Sequence, residues 1–246
     1  MVAQDVERIL LGLDTRWNRT EFLMKFNATD GGINNGEFMY LVGDWPAGYV
    51  QGGHGAELCE FLNSTEFMND PIQAFIDDCN RTGLTVDNYD SRILSSTTID
   101  TYASTRQWVW QQCFEIGGFQ GPNPTYSLRG QIMDHDFWIG YCERLYGQNQ
   151  TGPNIAHSQK YYGSIDMAAS NIAFVNSVED PWKFGCMRYR QDPLVTQKNI
   201  RTYYVDCPGC AHCSDIHLPK ATDSHAMNNT RAAVEKQIEE WMELTS

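Results

Sequence analysis

The sequence has little positive charge and no long apolar run. Its 246 residues include 18 Lys and Arg against 31 Asp and Glu, which gives a net charge of -13. A protein that binds nucleic-acid phosphates needs a basic face, so we expect no nucleic-acid partner. A membrane-spanning helix needs roughly 18 apolar residues in succession. Because the sequence contains no such run, we expect no membrane partner either.

The first residues, Met1 to Arg8, are polar and lack the basic segment followed by an apolar one that is typical of a signal peptide. Eight cysteines nevertheless form an even set suited to an oxidising compartment. The composition predicts roughly two Asn-x-Ser/Thr glycosylation triplets. The sequence contains six, which begin at Asn18, Asn27, Asn63, Asn80, Asn149 and Asn228. We therefore expect a secreted, lysosomal or vacuolar glycoprotein whose signal peptide is missing from this chain. The alternative is a cytosolic protein with inert thiols.

Residues 1–150 show the patterns of helices. Apolar residues recur at helical spacing near the N-terminus, and Asp70 followed by Pro71 is typical of a helix start. Further helices are expected over 99–113 and 126–146. This part of the chain is therefore predicted to form a mostly helical domain.

Residues 151–246 have a different pattern. The segments 171–176 and 200–205 are apolar or β-branched and predict two strands. A helix capped at Asn229 or Thr230 is expected to run to about Glu243. Strand, loop, strand, loop and helix in this order predict the C-terminal part of an α/β sheet.

An acid and an imidazole follow the two predicted strands. Asp180 lies shortly after the first strand and His212 shortly after the second. Functional residues of open α/β sheets gather on loops at the carboxyl ends of strands. An Asp there can accept the Nδ1–H of a His on the next loop, so that the His can take a proton from a nucleophile. The order acid before His is that of α/β-hydrolases.

Several segments resemble the S28 family of serine peptidases, which includes prolyl carboxypeptidase and dipeptidyl peptidase II. Residues 172–182 are similar to the segment around the family's catalytic Asp, and 209–215 to its His loop. Residues 50–59 are similar to a stretch of the family's cap domain. The most specific likeness is another cap stretch, which contains Arg106, Trp108, Gln111, Cys113, Glu115, Gly117 and Gln120. The resemblance covers most of residues 37–243.

The resemblance implies an α/β-hydrolase with an inserted helical cap. Residues 1–150 would be mostly cap, after a short hydrolase-domain helix, and 151–246 the C-terminal part of the hydrolase core. The family cleaves peptides after proline, from one end, without a cofactor. Asp180 and His212 would be catalytic, Trp182 would line the pocket for the proline ring, and Glu115 would lie near the substrate. Whether the protein forms a homodimer is left open.

Three expectations qualify this interpretation. The sequence contains no Gly-x-Ser-x-Gly, so the nucleophilic Ser is expected to be absent from this chain, and an inactive, truncated peptide-binding pseudoenzyme is the alternative. We expect no metal, although the spacing from Cys207 to Cys213, with His217 as a fourth ligand, leaves a zinc site open. Disulfides are preferred there, and Cys59 with Cys113 is the expected cap disulfide.

Overall fold

The computed structural model describes residues 2–28, 32–99, 101, 103–125, 127–147, 152–187 and 199–243. The chain divides into two compact units. The first unit comprises Met1–Pro46 and Phe61–Ser158, and the second comprises Ala47–Glu60 and Gln159–Ser246. The second unit therefore takes up a short segment from the middle of the helical region, a feature that the sequence did not indicate. The assignment of 1–150 to a cap stays a prediction.

The described residues form eleven α-helices and two strands. The helices are α1 Val2–Leu10, α2 Arg19–Met24, α3 Asn35–Gln51, α4 Gly55–Leu62, α5 Thr65–Asn69, α6 Pro71–Thr82, α7 Ser91–Leu94, α8 Thr105–Gln111, α9 His135–Tyr146, α10 Ile155–Tyr162 and α11 His225–Glu243. A π-helical turn, Gln112–Ile116, continues α8. The strands are β1 Ile172–Ser177 and β2 Ile200–Val205. No helix in the described part of the chain is long and apolar enough to cross a bilayer.

Local capping explains where several helices begin. The predicted start of α6 is confirmed, because the Asp70 carboxylate accepts a hydrogen bond from the main-chain N–H of Gln73 at 3.1 Å. Helix α9 begins later than the predicted residue 126, which lies outside the described residues, because Asp134 caps it. Helix α11 begins earlier than predicted. The Ser224 hydroxyl accepts from the N–H of Met227 at 3.1 Å and starts the helix there.

The core of the first unit is built from aromatic rings. Phe22, Phe26, Phe38 and Phe75 are fully buried, and their neighbouring ring centroids lie 4.9 to 5.6 Å apart. Edge-to-face contacts of this kind add to the free energy of apolar burial. A second buried group of rings in this unit contains Tyr40, Tyr89, Trp138 and Tyr141.

A buried carboxylate and a disulfide tie the helices of the first unit together. Glu37 is buried on α3, where its carboxylate accepts from Nε of Arg144 at 2.8 Å and from the N–H of Ser91 at 3.1 Å. The disulfide joins Cys113 to Cys142 on α9. The expected pairing of Cys113 with Cys59 is therefore wrong, because the Cys113 sulfur is already bonded to a residue of the same unit.

The second unit is built around a parallel two-stranded sheet in the described residues. The register pairs Ile172 with Ile200 and Ser177 with Val205, so β1 and β2 end side by side. Both strands agree with the predicted segments to within one residue. The small core against this sheet comprises Val205, Cys207, Cys210 and Met227, with Val175 and Ala226 packed against it. The loops that follow the strands therefore start at one edge of the sheet.

Candidate active site

Asp180 is held in place by the turn that follows β1. Its N–H donates to the carbonyl of Ser177 at 3.1 Å, which closes the turn. Its carboxylate Oδ1 then caps a 3-10 turn, Pro181–Phe184, by accepting from the N–H of Trp182 at 2.7 Å. This cap is the local reason for an Asp before a Pro at this position. The second carboxylate oxygen, Oδ2, is left to bind a residue on another loop.

That residue is His212, on the loop after β2. Nδ1 of His212 lies 2.9 Å from Oδ2 of Asp180, a normal hydrogen-bond distance. The Asp180 side chain is 9% exposed and that of His212 is 35% exposed. With Nδ1–H donating to the carboxylate, Nε2 is the nitrogen left to exchange a proton. The structure therefore brings together the two residues that the strand order predicted to meet.

Trp182 adjoins the imidazole. Its ring centroid lies 5.8 Å from that of His212, with the two planes tilted by 36°. The indole is half-buried, and its Nε1–H donates to Oε1 of Gln51 at 2.8 Å. The indole therefore lies beside the base, and its expected role in lining a pocket stays a prediction.

Gln51 is a residue of this site that sequence reasoning did not identify. It is the last residue of α3, and its main-chain carbonyl accepts from the N–H of His212 at 3.1 Å. The separation in sequence from Trp182 is 131 residues, so no local pattern could reveal the contact. The only available signal was that the resemblance included the segment that contains Gln51.

The loop before His212 is closed by a disulfide between Cys207 and Cys210. This bond occupies two of the thiolates that a zinc site would need, so the zinc alternative is wrong for these donors. The N–H of Gly209 at the tip of this loop donates to the carboxylate of Glu179 at 3.1 Å. This bond is a second link between the loops that carry Asp180 and His212.

The loop after His212 is anchored to α11 by one guanidinium. Arg231 pairs with Asp223 and donates through Nε to the carbonyl of Asp215 at 3.1 Å and through Nη2 to that of His217, also at 3.1 Å. Ser214 adds a hydroxyl contact of 3.0 Å to Ser177 at the end of β1. The loop is therefore anchored by hydrogen bonds both before and after His212.

Two cysteines near the acid have the wrong acidity for a nucleophile. Burial, and to a smaller extent the charge of Asp180, raise the pKa of the Cys186 thiol. The same two causes, in the same order, raise the pKa of the Cys213 thiol, which follows His212 in the chain. Nucleophilic cysteines have a depressed pKa. Neither thiol therefore has the depressed pKa that is typical of an activated nucleophile.

The remaining predicted residues belong to other segments of the chain. Glu115 is half-buried in the π-helical turn of the first unit, and its expected contact with substrate stays a prediction. Asn149 lies outside the described residues. The other candidate glycosylation sites are all exposed, at Asn18, Asn27, Asn63, Asn80 and Asn228.

The geometry defines a class of protein. An acid and a base at the carboxyl edge of neighbouring parallel strands, in the chain order acid then His, are typical of α/β-hydrolases. The profile described as serine carboxypeptidase S28 matches residues 54–234. The chain belongs to this family of serine peptidases, which implies an α/β-hydrolase-like fold.

Individual relatives agree with this assignment. The chain is 28% identical over 223 residues to the probable serine protease EDA2 of Arabidopsis thaliana, covering 88% of this chain and 44% of the relative. It is 24% identical to the thymus-specific serine protease of Mus musculus, covering 56% and 26%. It is 28% identical to a probable extracellular serine carboxypeptidase of Arthroderma benhamiae, covering 54% and 19%. The chain thus spans less than half of the length of these relatives.

Proposed function

We propose that this chain provides the acid and the base of a Ser–His–Asp serine peptidase that cleaves peptides after proline-like residues. The observation that carries the proposal is the 2.9 Å contact between Oδ2 of Asp180 and Nδ1 of His212. Family membership supports the reaction class. The contact supports the assignment of roles, because an orienting carboxylate is what a triad His requires.

In this mechanism His212 acts through Nε2. Nε2 takes the proton of the serine hydroxyl as its oxygen attacks the carbonyl carbon of the scissile bond. Asp180 keeps the Nδ1–H tautomer and stabilises the imidazolium that forms. Nε2 then gives the proton to the leaving amine. In this role the Asp180 carboxylate accepts both the N–H of Trp182 and Nδ1–H of His212.

The sequence contains no Gly-x-Ser-x-Gly motif, so the nucleophile of the proposed triad has no candidate among these residues. We propose that the serine belongs to polypeptide outside these residues, in keeping with relatives more than twice as long as the matched region. The second candidate function, favoured by the same missing motif, is a catalytically inactive peptide-binding chain. A fluorophosphonate probe distinguishes the two functions, because it labels an activated serine only.

Substrate selection is assigned to Trp182. Its half-buried indole lies against the His212 ring, and a flat apolar wall fits the pyrrolidine ring of proline. We therefore expect Trp182→Ala to lower kcat/KM for a Pro peptide more than for the matching Ala peptide. A ratio of the two values that equals that of the wild type would contradict this role.

A secreted, lysosomal or vacuolar location belongs to the same proposal. It is supported by the disulfides Cys113–Cys142 and Cys207–Cys210 and by exposed glycosylation triplets. It is also supported by a relative that is described as a probable extracellular serine carboxypeptidase. Treatment of the protein from its native source with peptide N-glycosidase should increase its electrophoretic mobility. Unchanged mobility would count against this location.

The test of the catalytic roles uses the complete coding sequence expressed in a secretory host. We expect Asp180→Asn to lower kcat by about 10⁴-fold and His212→Ala by about 10⁶-fold, while secretion is maintained. Asp206→Asn and His225→Ala are matched controls, because both residues are exposed in the second unit. Wild-type turnover in either site variant would refute its assigned role.

A further inference from the structure

Two acceptor residues bridge the same two donor residues in the second unit. Asp180 accepts from the N–H of Trp182 at 2.7 Å and from Nδ1 of His212 at 2.9 Å. Gln51 accepts from Nε1–H of Trp182 at 2.8 Å and from the N–H of His212 at 3.1 Å. The four hydrogen bonds form a closed cycle through three chain segments: the end of α3 and the loops after β1 and β2.

The end of α3 leaves the Gln51 carbonyl available for this role. The last carbonyls of a helix have no intrahelical partner and must find one elsewhere. The N–H groups of Gly52, Gly53 and His54 bond back to earlier carbonyls of α3, at 2.9, 3.2 and 2.8 Å. The carbonyl of Gln51 instead accepts from His212. Its neutral amide oxygen binds the indole without adding a second negative charge to the cycle.

A close approach of two glycines fixes the end of α3 against the His212 loop. Gly53 has φ +82°, and a Cβ at this position would lie 2.2 Å from the carbonyl oxygen of Gly209. Only glycine therefore fits here without a shift of the backbone. This approach holds the Gln51 segment next to the loop that carries His212, so both contacts of Gln51 are supported by the packing of the main chain.

We propose that Gln51 is a positioning residue, which orients the indole of Trp182 for an apolar substrate ring and holds the main chain of His212. This inference deepens the proposed function and rests on it. Loss of the Nε1–H bond removes one restraint on the indole, and a pocket wall that is less fixed costs binding free energy when the substrate orders it. The Gln51 side chain should therefore affect substrate binding more than the proton transfer.

The direct test observes the indole. In the ¹⁵N-tryptophan-labelled chain, the Nε1–H signal of Trp182, assigned with Trp182→Phe, should move upfield and exchange faster in Gln51→Met, which has similar length but no oxygen acceptor. Gln51→Glu keeps an acceptor oxygen and should restore slow exchange. Gln73→Met is the control, because Gln73 is a helix residue of the first unit whose amide also makes a side-chain hydrogen bond, to Asp77 at 2.8 Å.

The kinetic test uses the complete, active protein. Gln51→Met should raise KM for a Pro peptide by about 2- to 10-fold, as expected for one lost hydrogen bond, with little change in kcat. Gln51→Glu should restore KM. Its carboxylate would favour the imidazolium form of His212, so the acidic limb of the kcat/KM profile should move to higher pH. The readout that a merely structural role would not produce is the rise in KM at nearly constant kcat in Gln51→Met, together with the recovery of KM in Gln51→Glu.

The outcomes separate this inference from the proposed function. An unchanged Trp182 signal or an unchanged KM in Gln51→Met overturns the role of Gln51, even when Asp180→Asn and His212→Ala abolish turnover. Full turnover in those two variants overturns the proposed function, whereas the indole signal still reports on Gln51. If Gln51→Met fails to fold, Gln51→Asn, which is one methylene too short to reach the indole, replaces it with the same expected results.

Discussion

The first unit encloses clustered aromatic rings and a buried carboxylate that joins helices, whereas the second has a small core and holds its loops with hydrogen bonds and a disulfide that closes a short loop. In the first unit the cluster of Phe22, Phe26, Phe38 and Phe75 is completely buried. Among the described residues of the second unit, the core around Val205 comprises aliphatic and sulfur-containing side chains and no aromatic ring. The comparison indicates that helix packing stabilises the first unit, while polar contacts order the site of the second.

The largest expected effect on stability follows from removing one ring of the first unit. Phe75 is fully buried, with its centroid 5.4 Å from that of Phe26 and 5.0 Å from that of Trp45. Phe75→Ala should lower the free energy of unfolding by about 3 to 5 kcal/mol, because it loses apolar burial and leaves a cavity. Denaturant unfolding followed by circular dichroism measures this loss.

Phe184→Ala is the matched control from the second unit, because the Phe184 side chain is 69% exposed. It should change stability by less than about 0.5 kcal/mol. Equal losses in the two variants would mean that aromatic burial does not distinguish the two units.

An intermediate effect is expected where the second unit depends on a close backbone approach. In Gly53→Ala the new methyl group would clash with the carbonyl of Gly209. We expect a cost of about 1 to 3 kcal/mol from this overpacking, seen as faster hydrogen exchange of the His212 amide, which bonds to Gln51.

Gly83→Ala separates the clash from the backbone strain. Gly83 caps α6 with φ +74°, a value near that of Gly53, but a Cβ there would meet nothing within 4 Å. The Gly83→Ala variant should therefore show only the backbone strain of an alanine at positive φ, and hydrogen exchange of the His212 amide should be unchanged. If both alanine variants leave that amide protected, the close approach does not order the site.

The smallest effect concerns pH. Burial raises the pKa of Tyr146 to about 12, and the hydroxyl donates to the carbonyl of Arg106. Because the folded value exceeds that of a free tyrosine, near 10, folding favours the protonated phenol. This contribution is complete below about pH 10 and is lost as the pH rises through about 12. Tyr146→Phe should weaken the pH dependence of stability in this window, measured as unfolding midpoints between pH 9 and about 12.

The helix α11 is an internal control for this pH dependence, since the described helix contains no tyrosine. Its hydrogen exchange, corrected for the intrinsic effect of pH, should respond equally in the wild type and in Tyr146→Phe. An identical pH dependence of the unfolding midpoints in the two proteins would contradict the assigned contribution of Tyr146.

Local sequence patterns predicted the elements that depend on neighbouring residues. The two strands were found because apolar and β-branched residues are concentrated in short runs, and the start of α6 was found because Asp70 and Pro71 are its cap and first residue. The beginnings of α9 and α11 were misplaced. In each case a capping side chain, of Asp134 or Ser224, decides the start and is one of several polar residues nearby.

The site was predictable only in part. Asp180 and His212 could be paired because parallel strands place their following loops at one edge. The partner of Cys113 and the inclusion of Gln51 were not predictable from local patterns. Both depend on contacts between residues that are distant in the chain, 29 residues apart for Cys113 and Cys142 and 131 for Gln51 and Trp182.

The sequence by itself determined the class of chemistry, because a carboxylate and an imidazole can form an acid–base pair wherever they meet, and it determined the strands that carry them. Only the tertiary structure decided that the end of α3 closes the cycle around that pair. The physical reason is that strand and cap preferences act between adjacent residues, whereas the approach of Gly53 to Gly209 exists only after the chain has packed.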